Sequence, residues 1–283
     1  MQDTEVRRAV AAAKSIASAL GLTAADAIVL HNSNNLAVRL LPCDVFARIA
    51  PEARNPAAFE IELAQRLAAA QSPVAALEPR VAPRPYERDG FVVSLWTYYP
   101  AVLAPLAARD YAAALARLHA GLRQIDMERP RFTYRVAEAH KILADRARSP
   151  ALSEDDRTLL LDALNGHAQA IANRGAPEQL LHGEPHPGNV LGAAEGPVFI
   201  DLETCCRGPV EFDLAHVPED VAAYYSAADA ELLGECRALV LAMVAAWRWD
   251  AADEFPNGRQ WGHTFVSALR AGPPWPTLDA MTR

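Results

Sequence analysis

The sequence predicts an α+β chain in two lobes: a small antiparallel-sheet lobe with one main helix, then a larger, mostly helical lobe. Three observations predict it. Short strand-like runs separated by polar or proline turns fill the first third. A buried-strand run at 91–96 leads into a short aromatic connector, and beyond it apolar residues recur at helical spacing. That order sets the expected boundaries at 1–95 for the sheet lobe, 96–100 for the connector and 101–283 for the helical lobe. A chain of 283 residues, 51% hydrophobic and 22% charged, is long enough for two lobes and apolar enough to fill their cores.

Residues 4–20 set Val6, Val10, Ile16 and Leu20 among alanines and charges, which suits an amphipathic helix stopped by Gly21. Ala27 to Leu30 reads as a strand leading into the polar loop His31-Asn32-Ser33-Asn34-Asn35. Leu36 to Leu41 returns as a second strand, 42–44 turns, and Val45 to Ile49 forms a third. Phe59 to Ala70 reads as a helix with Ile61, Ala64 and Leu67 on one face. Prolines between Pro79 and Pro85 break the pattern before the strand Phe91 to Trp96. Tyr111, Leu115, Leu118 and Leu122 then share a helical face, and further helices fit 133–147, 153–173, 219–227 and 229–248.

A net charge of −8 argues against a nucleic-acid binder, which would present a basic surface. No apolar run is long enough to cross a bilayer, and the first residues lack the basic-then-apolar layout of a secretion signal. Cys43, Cys205, Cys206 and Cys236 have no zinc-like spacing and read as reduced thiols. The expectation is a cytoplasmic protein, monomer or homodimer, with neither nucleic acid nor membrane as partner.

The chemistry concentrates in two short apolar strands, each ending in acids and amides. The first is Leu181-His182-Gly183-Glu184-Pro185-His186-Pro187-Gly188-Asn189-Val190; the second is Phe199-Ile200-Asp201-Leu202-Glu203. Phosphoryl transfer needs such a set: a group to orient the attacking hydroxyl, and oxygen ligands for Mg²⁺ near a triphosphate. His182-x-Glu184-x-His186 also offers three ligands for a zinc hydrolase. Pro185 and Pro187, however, suit a turn better than the strand that would project all three to one face.

A third block, Gly208-Pro209-x-Glu211-x-Asp213-Leu214-Ala215, follows at short spacing. The three blocks in this order resemble the aminoglycoside phosphotransferase and choline-kinase-like family, small-molecule kinases with a protein-kinase-like fold. The resemblance implies ATP- or GTP-dependent transfer of the γ-phosphate to a hydroxyl of an aminoglycoside-like or other small acceptor, with Mg²⁺. It makes Glu184 the catalytic base, where the family has aspartate. It makes Asn189 and Asp201 the metal ligands, with Glu203 either assisting a second metal or standing as an exposed acid. Ser33, Asn34 and Asn35 would cover the phosphates without a glycine. Arg48 would take the place of the phosphate-binding lysine, paired with Glu60 in preference to Glu62 because Glu60 lies on the apolar register of Ile61 and Ala64. Ser94, Leu95 and Trp96 would supply backbone bonds to adenine.

In the same resemblance His182 and His186 support the catalytic loop, Gly188 supplies a special φ, and Asp213 caps a helix starting at Leu214 and braces the loop. The acceptor side offers the acids Glu211, Glu219, Asp220, Asp250, Asp253 and Glu254, and the tryptophans Trp247, Trp249 and Trp261. Carboxylates suit an amine, and antibiotic resistance is one role such kinases have. Tryptophans suit an apolar or quaternary ammonium ligand. The departures at Glu184, Arg48 and the glycine-free loop also suit a nucleotide-binding pseudo-kinase with a regulatory or scaffolding role.

Overall fold

Every second residue of the early strands is apolar. In the computed structural model, which describes residues 1–33, 35–53, 57–100, 106–226 and 228–282, those residues turn to one side of a sheet. The elements run α1 (Asp3–Ala19), β1 (Ala24–Asn32), β2 (Leu36–Pro42), β3 (Val45–Pro51), α2 (Ala57–Ala69), β4 (Tyr86–Arg88) and β5 (Phe91–Thr97). There follow α3 (Ala108–Arg123), α4 (Thr133–Ala144), α5 (Glu154–Arg174), β6 (Gln179–Leu181), β7 (Val190–Ala193), β8 (Gly196–Phe199) and β9 (Cys206–Gly208). The chain closes with α6 (Val210–Leu214), α7 (Glu219–Ala223), α8 (Ala230–Trp249), α9 (Gly258–Ala271) and α10 (Leu278–Thr282). These form two compact units, Met1–Leu106 with Val190–Glu203, and Ala107–Asn189 with Thr204–Arg283.

The first unit is built on an antiparallel sheet in the order β1-β2-β3-β5-β4. Leu36, Val38 and Leu40 of β2 and Val45, Ala47 and Ile49 of β3 are fully buried in one cluster with Ala9, Ala13 and Ile16 of α1. Each such aliphatic side chain contributes about 1.5–3 kcal/mol by leaving water. The period of two then sends Arg48, and its cross-strand partner Ser94, to the opposite face. The hairpin β7–β8 belongs to this unit although it follows the helical region in sequence. It is tied there by backbone bonds from Phe199 to Pro73 O (2.8 Å) and from Ala75 to Phe199 O (2.9 Å). The hairpin thereby brings Asp201 and Glu203 into the sheet unit.

In the second unit α8 is apolar nearly all round, with Leu232, Leu239, Leu241, Met243 and Ala246 buried, and it packs against α4, α5 and α9. Asp229 caps α8 by accepting from the Glu231 and Leu232 amides. Ser153 caps α5, which stops at left-handed Gly175. Among the described residues no helix is long and apolar enough to cross a membrane. Two expected helices are shorter in the structure. α4 ends at Ala144, because the Asp145 carboxylate accepts from the Ala147 amide and turns the chain, and α7 ends at Ala223. The sequence pattern does not announce β4, β9, α9 or α10. α9 escapes notice because its buried Phe265, Val266 and Leu269 are few and its first half is polar.

Candidate active site

In the sheet unit, Arg48 gathers three carboxylates. Its guanidinium donates to Glu60 (2.6 Å), to Asp201 (2.8 Å) and to Glu203 (2.7 Å). α2 turns Glu60 inward with Ile61 and Ala64, leaving it 2% exposed, while Glu62 bonds Arg66 and lies 54% exposed. Burial pushes the Glu60 carboxyl up to about 7, against the pull of Arg48. Burial also works against the Arg48 charge, and its three acidic neighbours more than offset it. Asp201 follows β8 with φ at 63°, a left-handed conformation that an aspartate holds only at a cost.

The turn between β1 and β2 joins this cluster through Asn35, whose amide donates to Glu203 (3.0 Å). The Ser33 amide donates to Asn35 O (3.2 Å), closing the turn; Asn34 lies outside the described residues. The expected purine-binding backbone is engaged differently. Leu95 O accepts from the Glu78 amide (3.0 Å), and the Thr97 amide donates to Ala76 O (2.9 Å). The Ser94 hydroxyl accepts from the Trp96 indole (2.8 Å). Residues 94–96 therefore form a strand flanked by β3 on one side and 76–78 on the other, and its Leu95 acceptor is already in use.

In the second unit the loop 182–189 is held from every side. The Asp213 carboxylate accepts from the backbone amides of His182 (2.9 Å) and Gly183 (2.8 Å), and from His119 Nε2 (2.9 Å). The Tyr225 hydroxyl lies 2.9 Å from His119 Nδ1, and the acceptor-only carboxylate calls for a proton on Nε2. Thr204 Oγ1 donates to His182 O (3.2 Å), and the Tyr111 hydroxyl to Pro185 O. Asp213 lies inside α6 and braces the loop; Pro209, not Asp213, is the residue at the helix start, because the helix begins at Val210.

The two histidines point away from one another's tasks. His182 Nδ1 accepts from the Glu184 amide (3.3 Å), and His186 Nδ1 from the Gly188 amide (3.1 Å). The positive φ of the loop belongs to Gly183, at 94°, and not to Gly188. At Gly188 a Cβ would meet the His186 ring at 2.9 Å, so the ring would have to shift. A Cβ on Gly183 would clash with Thr204 O as well as strain the backbone. Gly183→Ala is accordingly expected to cost about 3 kcal/mol, read as a lower urea midpoint than the parent's.

Asn189 Nδ2 donates to Glu184 O (3.0 Å), which turns its Oδ1, a hard oxygen donor, the other way. Glu184 is 23% exposed, and one of its oxygens, Oε1, is bound by Arg135 of α4. The same guanidinium donates to Gly183 O (3.1 Å) and lies over the Trp247 ring at 4.8 Å. Sequence reading missed Arg135. It stands far from Glu184 in the chain, and no local spacing links them.

The acids expected on the acceptor side are largely engaged. Glu211 accepts from the Asp229 amide (3.0 Å), Glu219 pairs with Arg237 (2.8 Å), Asp253 with Arg248 (2.9 Å), and Asp250 with Arg148. Asp220 accepts from the Val221 amide (3.0 Å), and Glu254 is exposed. Trp247 and Trp249 carry arginines on their faces, and Trp261 stacks with Phe265. A cavity of about 420 Å³ opens beside Arg248, Asp253, Phe255 and Arg259.

A family model described as the APH phosphotransferase enzyme family matches residues 29–261. No curated protein sequence matches the chain. Among solved structures the chain resembles amicoumacin kinase hAmiN in complex with AMP-PNP, Ca²⁺ and Ami, at 12% identity and a TM-score of 0.69, over 97% of this chain and 98% of that one. It resembles a choline/ethanolamine kinase family protein from Mesorhizobium loti at 18% identity and 0.66, over 97% and 96%. The GDP and kanamycin complex of APH(2")-IIia aligns at 15% identity and 0.65, over 92% and 97%. At these identities the likeness is one of fold.

Proposed function

The chain belongs to the APH phosphotransferase enzyme family, and on that premise we propose that it transfers the γ-phosphoryl group of ATP or GTP to a hydroxyl of a small acceptor. One observation carries the reading: a buried strand arginine, anchored by a helix glutamate, that meets Asp201 and Glu203. A lone structural ion pair would need one acid; this arginine holds three, two of them partly open to solvent.

Each residue then has a task. Arg48, held by Glu60, meets the α- and β-phosphates, and the turn of Ser33, Asn34 and Asn35 covers them. Ser94, Leu95 and Trp96 wall the purine more than they bond it. Asn189 and Asp201 are the residues that would hold Mg²⁺, with Glu203 as an assisting acid. The residue types suit a hard cation: Asn189 commits its Nδ2, not its Oδ1, to its own loop, and within the sheet unit Asp201 and Glu203 already bind a positive charge. Such a cation, when bound, supplies charge neutralisation at the transferring phosphoryl group. Glu184 accepts the hydroxyl proton through Oε2, since Oε1 is held by Arg135. Aminoglycosides, amino alcohols and other hydroxyl compounds are the acceptors to try. The engagement of Glu211, Glu219, Asp250 and Asp253 argues against a pocket built of free carboxylates for a polyamine.

A second reading is favoured by the Arg135 contact itself. With Oε1 occupied by a buried guanidinium, Glu184 has one oxygen fewer to offer a hydroxyl, and a nucleotide-binding pseudo-kinase would tolerate that. Thermal shifts with Mg·ATP and Mg·GTP, followed by nucleotide turnover against the acceptor panel, separate the two. Turnover on any acceptor establishes the phosphotransferase, and nucleotide stabilisation without turnover establishes the silent relative. Asp201→Ala is expected to abolish the Mg²⁺-dependent part of the nucleotide shift. A variant that binds Mg·ATP as tightly as the parent would remove Asp201 from the metal site.

A further inference from the structure

We propose that Arg135 is the positioning residue for Glu184, and that a glutamate stands here because only its longer side chain reaches that guanidinium. The inference rests on the phosphotransferase reading for its kinetic consequence, but its structural content stands by itself. Arg135 lies in the first turn of α4, is 7% exposed, and makes two contacts with the loop, one to Glu184 Oε1 and one to Gly183 O. Trp247 covers the guanidinium face. Gly183 O and Trp247 therefore hold the cation independently of Glu184 and keep it from following a shorter acid. An aspartate at the same backbone position ends one carbon–carbon bond, about 1.5 Å, short of it.

The consequence is directional. Oε1 is held against Arg135, so the carboxylate plane is set and Oε2 is the oxygen offered outward. Phosphoryl transfer gains chiefly from placement, so fixing one oxygen in order to aim the other is a catalytic device. Arg248 is a second cation whose charge is felt between it and Glu184, but it is paired with Asp253 at 2.9 Å and makes no bond to the loop. Arg135 alone among these joins the side chain of Glu184 and the backbone that carries it.

The test uses the full chain with Arg135→Met, Arg135→Lys and Glu184→Asp, alone and with Arg135→Met and Glu184→Asp combined. Two measurements are made: amide hydrogen exchange over 182–189, and steady-state turnover with Mg·ATP. Arg135→Met is expected to speed exchange at 183–185 and lower kcat about 100-fold, with the nucleotide KM within about twofold. Glu184→Asp should lose activity too, by about 10-fold or more, although it restores the acid usual in the family. The combined variant should be little worse than Arg135→Met, because the two changes break one contact. Arg135→Lys should recover part of the loss. Glu184→Asp that is as active as the parent, or additive losses in the combined variant, would overturn the proposal. Should the parent turn over no acceptor, the phosphotransferase reading fails and exchange decides alone. Faster exchange confined to the loop in both Arg135→Met and the milder Glu184→Asp upholds the positioning role, and unchanged exchange rejects it.

Discussion

Arg48→Met is expected to lower the unfolding free energy by about 3 kcal/mol at pH 8 and by clearly less at pH 5. The loss comes from Glu60, which is 2% exposed and left without its cation. Asp201 and Glu203 are open enough for water to take over, so they add little. The pH dependence follows from the sign of the Glu60 shift. Burial raises its carboxyl from an ordinary 4.5 to about 7 in the folded chain. Between those values the native state holds a proton that the unfolded state has released, so stability falls as pH rises from 4.5 to 7. Arg48 is the main group pulling that value down. Without it the carboxyl rises further, and the variant folds with Glu60 protonated at any pH near neutral. At pH 5 both proteins carry the proton and the deficit shrinks. Urea unfolding at the two pH values reads the difference; equal deficits would show that Glu60 is not its source. The same variant should lose the thermal shift given by Mg·ATP.

The sheet unit was legible because its signals are local. Alternation in 36–41 and 45–49 placed both core strands, and within the arginine–glutamate pairing that the resemblance implied, the apolar register of α2 favoured Glu60 over Glu62. The position of Asp201 after an apolar strand was equally plain. Its left-handed φ was not, since aspartate advertises that conformation only weakly. Three further features rest on contacts distant in sequence. The β7–β8 hairpin joins the sheet unit through Pro73 and Phe199, an isolated pairing that no periodicity reveals. Arg135 reads as one more polar residue early in a helix until α4 is laid against the loop. The segment 76–78 pairs with β5 beside residues 94–96 through an irregular backbone that forms no strand of its own, so no periodicity announces it. In the loop, glycine is needed for the reason the sequence suggests but at a different position: Gly183, not Gly188, carries the positive φ.

Asp213→Ala should be the most damaging single change in the second unit, at about 4 kcal/mol of stability and at least 100-fold in turnover. The carboxylate is fully buried and accepts from the His182 and Gly183 amides and from His119 Nε2. Alanine leaves three buried donors without acceptors, each costing about 1–3 kcal/mol. Part of that returns if the site relaxes or admits water. Burial alone would raise the Asp213 carboxyl; the bonds from His119 and the Gly183 amide outweigh it and hold the group below the ordinary aspartate value. A lowered carboxylate contributes stability that is fully present above the unfolded value and is lost as pH falls through the folded one. The gap between parent and Asp213→Ala should therefore be widest near pH 7 and close in acid. Asp213→Asn keeps the shape and one acceptor oxygen but turns an amide toward an N–H donor, so it should fall between parent and alanine. Turnover falls for a separate reason: the two freed amides belong to His182 and Gly183, the residues that set the backbone entering Glu184. Urea midpoints at pH 7 and at pH 3 for the three proteins test the order and its pH dependence. An alanine variant within about 1 kcal/mol of the parent at pH 7 would mean that the loop keeps its shape without this carboxylate.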